Sequence, residues 1–112
     1  MDIVFKTSKL QKECSDAKQM LKRHGPQRLK LLQKRLTELR AAAVLENIFK
    51  LPQARCHELR GDRKGELAVD LDHPYRLIFE VANDPKPIKP DGGLDWTKTT
   101  AIRIIGIEDY HE

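Results

Sequence analysis

Several features that identify a class of protein are scarce in this sequence. Its 112 residues include two cysteines, one tryptophan and no apolar run near the roughly 20 residues of a membrane span. Cys14 and Cys56 lack the spacing of zinc ligands, and a disulfide is not expected in a reducing compartment. The first residues lack the pattern of a signal peptide. We therefore expect a cytoplasmic protein with no metal, no other cofactor and no membrane partner.

The common nucleotide and hydrolase motifs are also missing. The sequence has no GxxxxGK[ST] loop, no GxGxxG after a strand, no HExxH and no serine in a nucleophile elbow. Asp70 and Asp72 are a weak candidate metal pair, because they follow the alternation of charged and apolar residues in a strand. Any catalysis would therefore use acid–base side chains.

Charge is distributed unevenly along the chain. Residues 1–43 contain 11 Lys or Arg and 4 Asp or Glu, a net charge of +7, whereas the remainder has a net charge of −3. A positive half attracts polyanions, of which nucleic acid is the usual one. The alternative is a solvated helix face, and charge alone does not separate the two.

The first half of the chain has the pattern of a strand and two helices. Ile3–Phe5 predicts the strand, and Thr7 or Ser8 can cap the first helix. Gly25 ends that helix and Pro26 suits the start of the second, which predicts a helix hairpin. Apolar residues recur at helical spacing on both helices, at Leu10, Cys14, Ala17 and Leu21 and then at Leu29, Leu32, Leu36, Leu39 and Ala43.

The second half predicts an antiparallel sheet. Alternation favours strands at 66–71, 75–81 and 101–107, with a short helical turn at 44–51 before them. The long loop 83–100 contains Trp96, which either folds the loop back onto the domain or contacts a partner. We expect residues 1–112 to form one α+β domain of two layers, with the helices on one face of a mainly antiparallel sheet. The other face, bordered by the loop 57–64, is expected to stay open.

The basic and histidine residues of this second half fit metal-free RNA cleavage. A base takes a proton from the ribose 2′-OH, an acid protonates the leaving oxygen, and cations stabilise the phosphorane. Histidine titrates near neutrality, and arginine binds phosphate in a fixed geometry. The alternatives are that the histidines are solvated loop residues, that Arg60, Arg63 and Lys64 pair with Glu58 and Asp62, and that Arg76 is a structural residue of its strand. The candidate residues are His57, Arg60, Arg63, Lys64, Arg76, Asp109, Tyr110 and His111.

Three segments together resemble the HigB-like killer toxins of the RelE/ParE superfamily. They are His57-Glu58-Leu59-Arg60-Gly61-Asp62-Arg63-Lys64-Gly65, Tyr75-Arg76-Leu77-Ile78-Phe79 and Ile107-Glu108-Asp109-Tyr110-His111. The resemblance implies a RelE-like fold and the toxin of a type II toxin–antitoxin system, which cuts mRNA on the ribosome. It also implies a helix-turn-helix, HigA-like antitoxin, with the toxin either monomeric or in a heterotetramer with it.

The same resemblance assigns roles to individual residues. His57 and His111 become the acid–base pair, Asp109 positions His111, and Tyr110 orients the substrate or stacks on it. Phosphate-binding residues are then Arg60, Arg63, Lys64 and Arg76. Ribosomal RNA, or in part the antitoxin, would contact Lys22, Arg23, Lys30 and Lys34.

Two departures from the family pattern bear on function. Glu66-Leu67 replace the aromatic residue that often follows the last glycine of the loop, and the loop 83–100 is longer than the family's tight turn. One alternative is a ParE-like toxin that inhibits DNA gyrase without cleaving RNA. Another is an inactive chain that only binds an antitoxin.

Overall fold

The structure, a computed structural model, describes residues 1–109. The candidate residues Tyr110 and His111 lie outside the described residues. In chain order the elements are β1 Asp2–Phe5, α1 Ser8–Ser15, α2 Ala17–Ala41, α3 Glu46–Phe49, β2 His57–Glu58, β3 Glu66–Asp70, β4 Tyr75–Val81 and β5 Ala101–Asp109. A single 3₁₀ turn, Gly61–Arg63, lies between β2 and β3.

The strands form one sheet in the order β1-β5-β4-β3-β2. All neighbouring pairs are antiparallel except β1 and β5, which are parallel. The predicted α+β class with a mainly antiparallel sheet is therefore confirmed. The strand β2 is not predicted by the sequence, because its two residues are too few for an alternation to register.

The helical region differs from the predicted hairpin at one position. Gly25 interrupts α2 with φ 78° and ψ 169°, which confirms the predicted break. A second break occurs at Asp16, whose side chain leaves the helix and accepts the backbone N–H groups of Lys18 and Gln19. This break shifts the helical phase, so Met20 is buried and Leu21 is 45% exposed. The prediction that Ala17 and Leu21 continue the apolar stripe is wrong.

The main core lies between the helices and one face of the sheet. The predicted leucine stripe of α2 is buried except at its ends: Leu29 is half-buried, and Ala43 is exposed because α2 ends at Ala41. The core combines residues of the helices and of the segment that joins α2 to α3, Cys14, Met20, Leu32, Leu36, Leu39, Leu45 and Ile48, with residues of the strands, Leu67, Val69, Leu77, Phe79, Val81, Ile102 and Ile104.

The opposite face of the sheet is not open, contrary to the prediction. Leu59, Ala68 and Ile78 form a second apolar cluster there, each no more than 2% exposed. Leu59 lies between β2 and the 3₁₀ turn and donates its backbone N–H to the carbonyl of Glu66. The loop after β2 therefore folds over this face.

A β-bulge in β5 changes which residues of that strand point to each face. Ile78 pairs with Gly106, but the next residue, Phe79, pairs with Ile104, so Ile105 is the extra residue. Before the bulge Ile102 and Ile104 face the main core; after it Glu108 lies opposite Arg76. Without the bulge, alternation would place Glu108 on the core side with Ile104.

Two arginines of α2 are paired with carboxylates and are not exposed. Arg28 donates to both carboxylate oxygens of Asp72 and its guanidinium lies 3.4 Å from the centre of the Tyr75 ring. Arg35 is 5% exposed. Its guanidinium donates to the carbonyls of Asp70 and Gln53, at 2.7 and 2.8 Å, and to Glu38. Arg35 thus connects α2 to β3 and to the segment before β2.

We expect Arg35→Met to lower the free energy of unfolding by about 2–4 kcal/mol, because two backbone carbonyls and the half-buried carboxylate of Glu38 lose the hydrogen bonds that Arg35 donates. The matched control is Arg40→Met on the exposed side of the same helix, which should change it by no more than about 0.5 kcal/mol. Urea unfolding measures both. An equal effect of the two substitutions would contradict the role of Arg35.

Candidate functional site

His57 lies on the outermost strand of the sheet. It is opposite Ala68 in the β2–β3 pair, so its side chain lies on the face away from the helices. Its Nδ1 atom is 3.0 Å from the carbonyl oxygen of Arg55. Since a carbonyl only accepts hydrogen bonds, Nδ1 carries the proton in this contact, and in the neutral ring Nε2 is the basic nitrogen. This tautomer suits a general base that acts through Nε2.

His57 opens onto a cavity of about 530 Å³ at the edge of the sheet, which we call the edge pocket. Arg60 and Lys64, both exposed, lie in the same pocket. No ion pair engages either cation among residues 1–109. The structure therefore brings together three of the candidate residues, a histidine and two cations. The full lining is Phe49, His57, Glu58, Leu59, Arg60, Gly61, Lys64 and Trp96.

Arg63 is held by two carboxylates. It donates to Glu66 on β3 and to Glu108 on β5, with N–O distances from 2.7 to 2.9 Å. It therefore spans the central strand β4. Hydrogen bonds from Arg63 lower the pKa of Glu108 below its ordinary value, and the same bonds raise the pKa of Arg63. The alternative prediction pairs Arg63 with Glu58 and Asp62, whereas the structure pairs it with Glu66 and Glu108.

Arg76 is also paired with a carboxylate. Its Nε atom donates to Asp70 at 2.9 Å, across the β3–β4 pair. The second oxygen of Asp70 lies 3.5 Å from Arg55. Arg76 and His57 lie on the same face of the sheet by register. Asp70 and Asp72, the weak candidate metal pair, each accept a hydrogen bond from an arginine. Arg76 donates to Asp70 and Arg28 donates to Asp72.

Asp109 ends the last strand and lies opposite Tyr75. Tyr75 packs against the main core, so the register directs Asp109 to the helix side of the sheet. Asp109 thus follows Glu108, which lies opposite Arg76 in the strand register, but the Asp109 side chain is directed to the other face of the sheet. The remaining candidates of this strand, Tyr110 and His111, are outside the described part of the chain.

The candidate ribosome-binding residues of α2 form a separate surface. All four, Lys22, Arg23, Lys30 and Lys34, are exposed. Because α2 packs on the Leu77 side of the sheet, this surface belongs to the helical layer, whereas His57 faces the other way. Lys22 and Arg23 line a different cavity of about 500 Å³, and Arg23 lies 3.4 Å from Glu13.

The loop between β4 and β5 folds back on the domain, as one of the two interpretations of Trp96 predicted. The Trp96 ring stacks on Phe49 with 3.7 Å between ring centres and an angle of 11° between planes. Its indole nitrogen donates to Glu58 at 2.7 Å. A bridge between Ile88 and Leu94 shapes the loop into a small hairpin. The sequence does not predict that Phe49 lies beside His57 or that Glu58 contacts Trp96.

The two cysteines are free thiols. Cys14 is buried, as predicted. Burial raises the pKa of Cys14 to about 11 and that of Cys56 to about 12, so both are protonated at neutral pH and neither is an activated nucleophile. No helix among residues 1–109 is long and apolar enough to cross a membrane.

Comparison with known proteins identifies the fold. No family model matches the sequence, and no curated protein matches it. The structure is similar to a YoeB/ParE toxin from Agrobacterium tumefaciens, with a TM-score of 0.54, 12% identity and coverage of 99% of this chain and 100% of that one. It is also similar to the YoeB-YefM complex from Staphylococcus aureus, with a TM-score of 0.55, 13% identity and coverage of 100% and 98%. The chain therefore has the fold of these toxins.

The Arg63–Glu108 pair predicts a pH dependence of stability. The folded-state pKa of Glu108 is lowered, so the pair contributes stability above the unfolded pKa of about 4.3 and loses it as the pH falls through the folded pKa. We expect Glu108→Gln to lower Tm at pH 6–7, with the difference from the parent chain shrinking below about pH 4. Thermal unfolding of both chains between pH 2 and pH 7, in steps of about 1 pH unit, measures this difference in Tm.

The control is the same substitution in an Arg63→Gln background. Without the arginine, Glu108→Gln should leave the pH profile nearly unchanged, because the hydrogen bonds that lower the pKa are gone. A Glu108→Gln effect that is the same at every pH would contradict the proposed electrostatic role of the pair.

Proposed function

We propose that this chain is the toxin of a type II toxin–antitoxin system and that it cleaves mRNA on the ribosome in the cytoplasm. The whole chain of 112 residues would act as one toxin domain. A helix-turn-helix, HigA-like antitoxin would neutralise it, either by binding a monomeric toxin or within a heterotetramer. One of the similar structures is of a YoeB-YefM complex, which supports a protein partner for this chain.

The observation that carries the proposal is the edge pocket in a toxin-like fold. His57 has its basic nitrogen oriented by the Arg55 carbonyl, and Arg60 and Lys64 lie in the same pocket. A base beside exposed cations is the arrangement that attack on a phosphodiester needs. In this proposal the second half of the site is supplied by the terminal Tyr110-His111, whereas the register directs Asp109 to the face of the sheet opposite His57.

The reaction proceeds without a metal ion. Nε2 of His57 takes the proton of the ribose 2′-OH, and the oxygen attacks the adjacent phosphorus. The bond from phosphorus to the 5′-oxygen breaks, and His111 gives that oxygen a proton. The products are a 2′,3′-cyclic phosphate and a 5′-hydroxyl end. Arg60 and Lys64 stabilise the charge that accumulates on the phosphorane.

Arg63 and Arg76 take a different part in this scheme. Each is engaged by carboxylates, Arg63 by Glu66 and Glu108 and Arg76 by Asp70. For either to bind phosphate, RNA would have to displace a charge-assisted hydrogen bond. We therefore assign the first contact with phosphate to Arg60 and Lys64, with Arg76 joining when substrate displaces Asp70.

Expression of this chain without a partner should stop growth and produce new 5′ ends within open reading frames. His57→Ala should reduce cleavage at least about 100-fold, because a general base contributes that much or more. His111→Ala should do the same. Primer extension on mRNA from induced cells measures the ends, and circular dichroism establishes that each variant is folded.

Two results would redirect this proposal. Continued cleavage by both histidine variants would contradict the acid–base assignment. Growth arrest without any new mRNA ends would point to the ParE-like alternative, inhibition of DNA gyrase by binding alone. A chain that causes no arrest but still binds an antitoxin would fit the inactive alternative.

The exposed cations of α2 predict electrostatic binding to the ribosome. Replacing Lys22, Arg23, Lys30 and Lys34 together with Gln should weaken co-sedimentation with ribosomes and reduce its salt dependence, since fewer counterions are released. Sedimentation at several salt concentrations measures both quantities.

A matched control removes four positive charges elsewhere, by replacing the exposed lysines Lys50, Lys86, Lys89 and Lys98 with Gln. This control has the same net charge as the first variant, so a difference between them reports location. Equal sedimentation of the two variants would indicate that the α2 surface is a solvated helix face that does not bind the ribosome.

A further inference from the structure

The loop between β4 and β5 is anchored by its backbone to the start of α3 and by Trp96 to the edge pocket. The backbone N–H groups of Leu45 and Glu46 donate to the carbonyls of Thr99 and Trp96, at 3.0 and 3.1 Å. The Trp96 ring is fixed between these contacts, the Phe49 ring and the Glu58 carboxylate. The pocket therefore has a rigid aromatic wall contributed by the longer loop.

Glu58 supplies a directed acceptor beside that wall. Its Oε1 atom accepts the Trp96 indole N–H at 2.7 Å. The other oxygen, Oε2, makes no hydrogen bond with any residue in the range 1–109. Glu58 is half-buried and lines the same pocket as Arg60 and Lys64. The pocket thus combines an aromatic surface, a hydrogen-bond acceptor and exposed cations, which are the three kinds of group that a nucleotide site uses.

We propose that Phe49, Trp96 and Glu58 form a subsite for a guanine base of the RNA. Aromatic rings provide a stacking surface for any base, and single-stranded RNA is read on the Watson–Crick edge of its bases. On that edge guanine presents two adjacent donors, N1–H and the N2 amine, which match a carboxylate. The nucleotide's phosphate lies toward Arg60 and Lys64.

The other bases fit the carboxylate less well. Adenine and cytosine each place a ring nitrogen lone pair beside their single amine, and this lone pair repels a carboxylate oxygen. Uracil has one N–H between two carbonyls. The subsite therefore selects guanine by the donors it offers. This inference rests on the proposed function only in assigning the bound nucleotide to an RNA substrate.

Trp96 is the only tryptophan of the chain, so its fluorescence reports directly on this subsite. The purified chain is titrated with the 5′-monophosphates of guanosine, inosine, adenosine, cytidine and uridine. We expect guanosine monophosphate to change Trp96 emission with a Kd at least about tenfold lower than that of adenosine monophosphate. Inosine monophosphate, which lacks the N2 amine, should bind several-fold more weakly than the guanosine nucleotide.

A variant and a control locate the selectivity in Glu58. Glu58→Gln keeps an oxygen that accepts the Trp96 N–H but removes the second acceptor, and it should reduce the guanosine-to-adenosine preference below about threefold. Asp91→Asn makes the same chemical change at the exposed tip of the same loop, away from the pocket lining, and should leave the preference unchanged.

Equal binding of all five nucleotides, or no emission change with any of them, would overturn the guanine subsite. These binding results do not depend on cleavage. Guanine selectivity in a chain that cuts no mRNA would leave the subsite standing and contradict the proposed function. Cleavage of mRNA by a chain that shows no nucleotide preference would support the proposed function and contradict the guanine subsite.

Discussion

One extra residue in β5 determines the side of the sheet on which the charged end of that strand lies. The bulge at Ile105 lets Ile102 and Ile104 face the helices while Glu108 faces the opposite side. There Glu108 receives the Arg63 guanidinium, which also holds Glu66. Because strand side chains alternate, a strand without the bulge would direct this carboxylate into the main core.

The positions of the candidate site residues follow from that contact. Arg63 ties the loop after β2 across the sheet, and Leu59 in this loop seals a small apolar cluster with Ala68 and Ile78. The loop is thereby fixed beside His57, with Arg60 and Lys64 at the edge pocket. The cations of this region thus differ in environment: Arg63 donates to carboxylates on two strands, whereas Arg60 and Lys64 are exposed to solvent. Only the latter can meet a phosphate without first losing a carboxylate partner.

The sequence predicts the large, periodic features of this fold and misses those that depend on single residues. The leucine stripe of α2 and the break at Gly25 are correct because repeated spacing and a left-handed glycine are strong local signals. The phase shift at Asp16 is missed because the same residue type can occupy a helix or cap one. The bulge has a signal in the Ile104-Ile105-Gly106 run, where alternation stops at a glycine. The Trp96–Glu58 contact spans 38 residues, and no local pattern encodes it.

The activity that we propose is RNA cleavage at the edge pocket of this toxin-like fold. The most direct measurement adds the purified chain to a reconstituted translation reaction on a defined mRNA, beside a reaction without ribosomes and a DNA gyrase supercoiling assay. We expect mRNA to be cut within the translated region, only when ribosomes are present, and His57→Ala to abolish the cut. Intact mRNA together with inhibited supercoiling would contradict it.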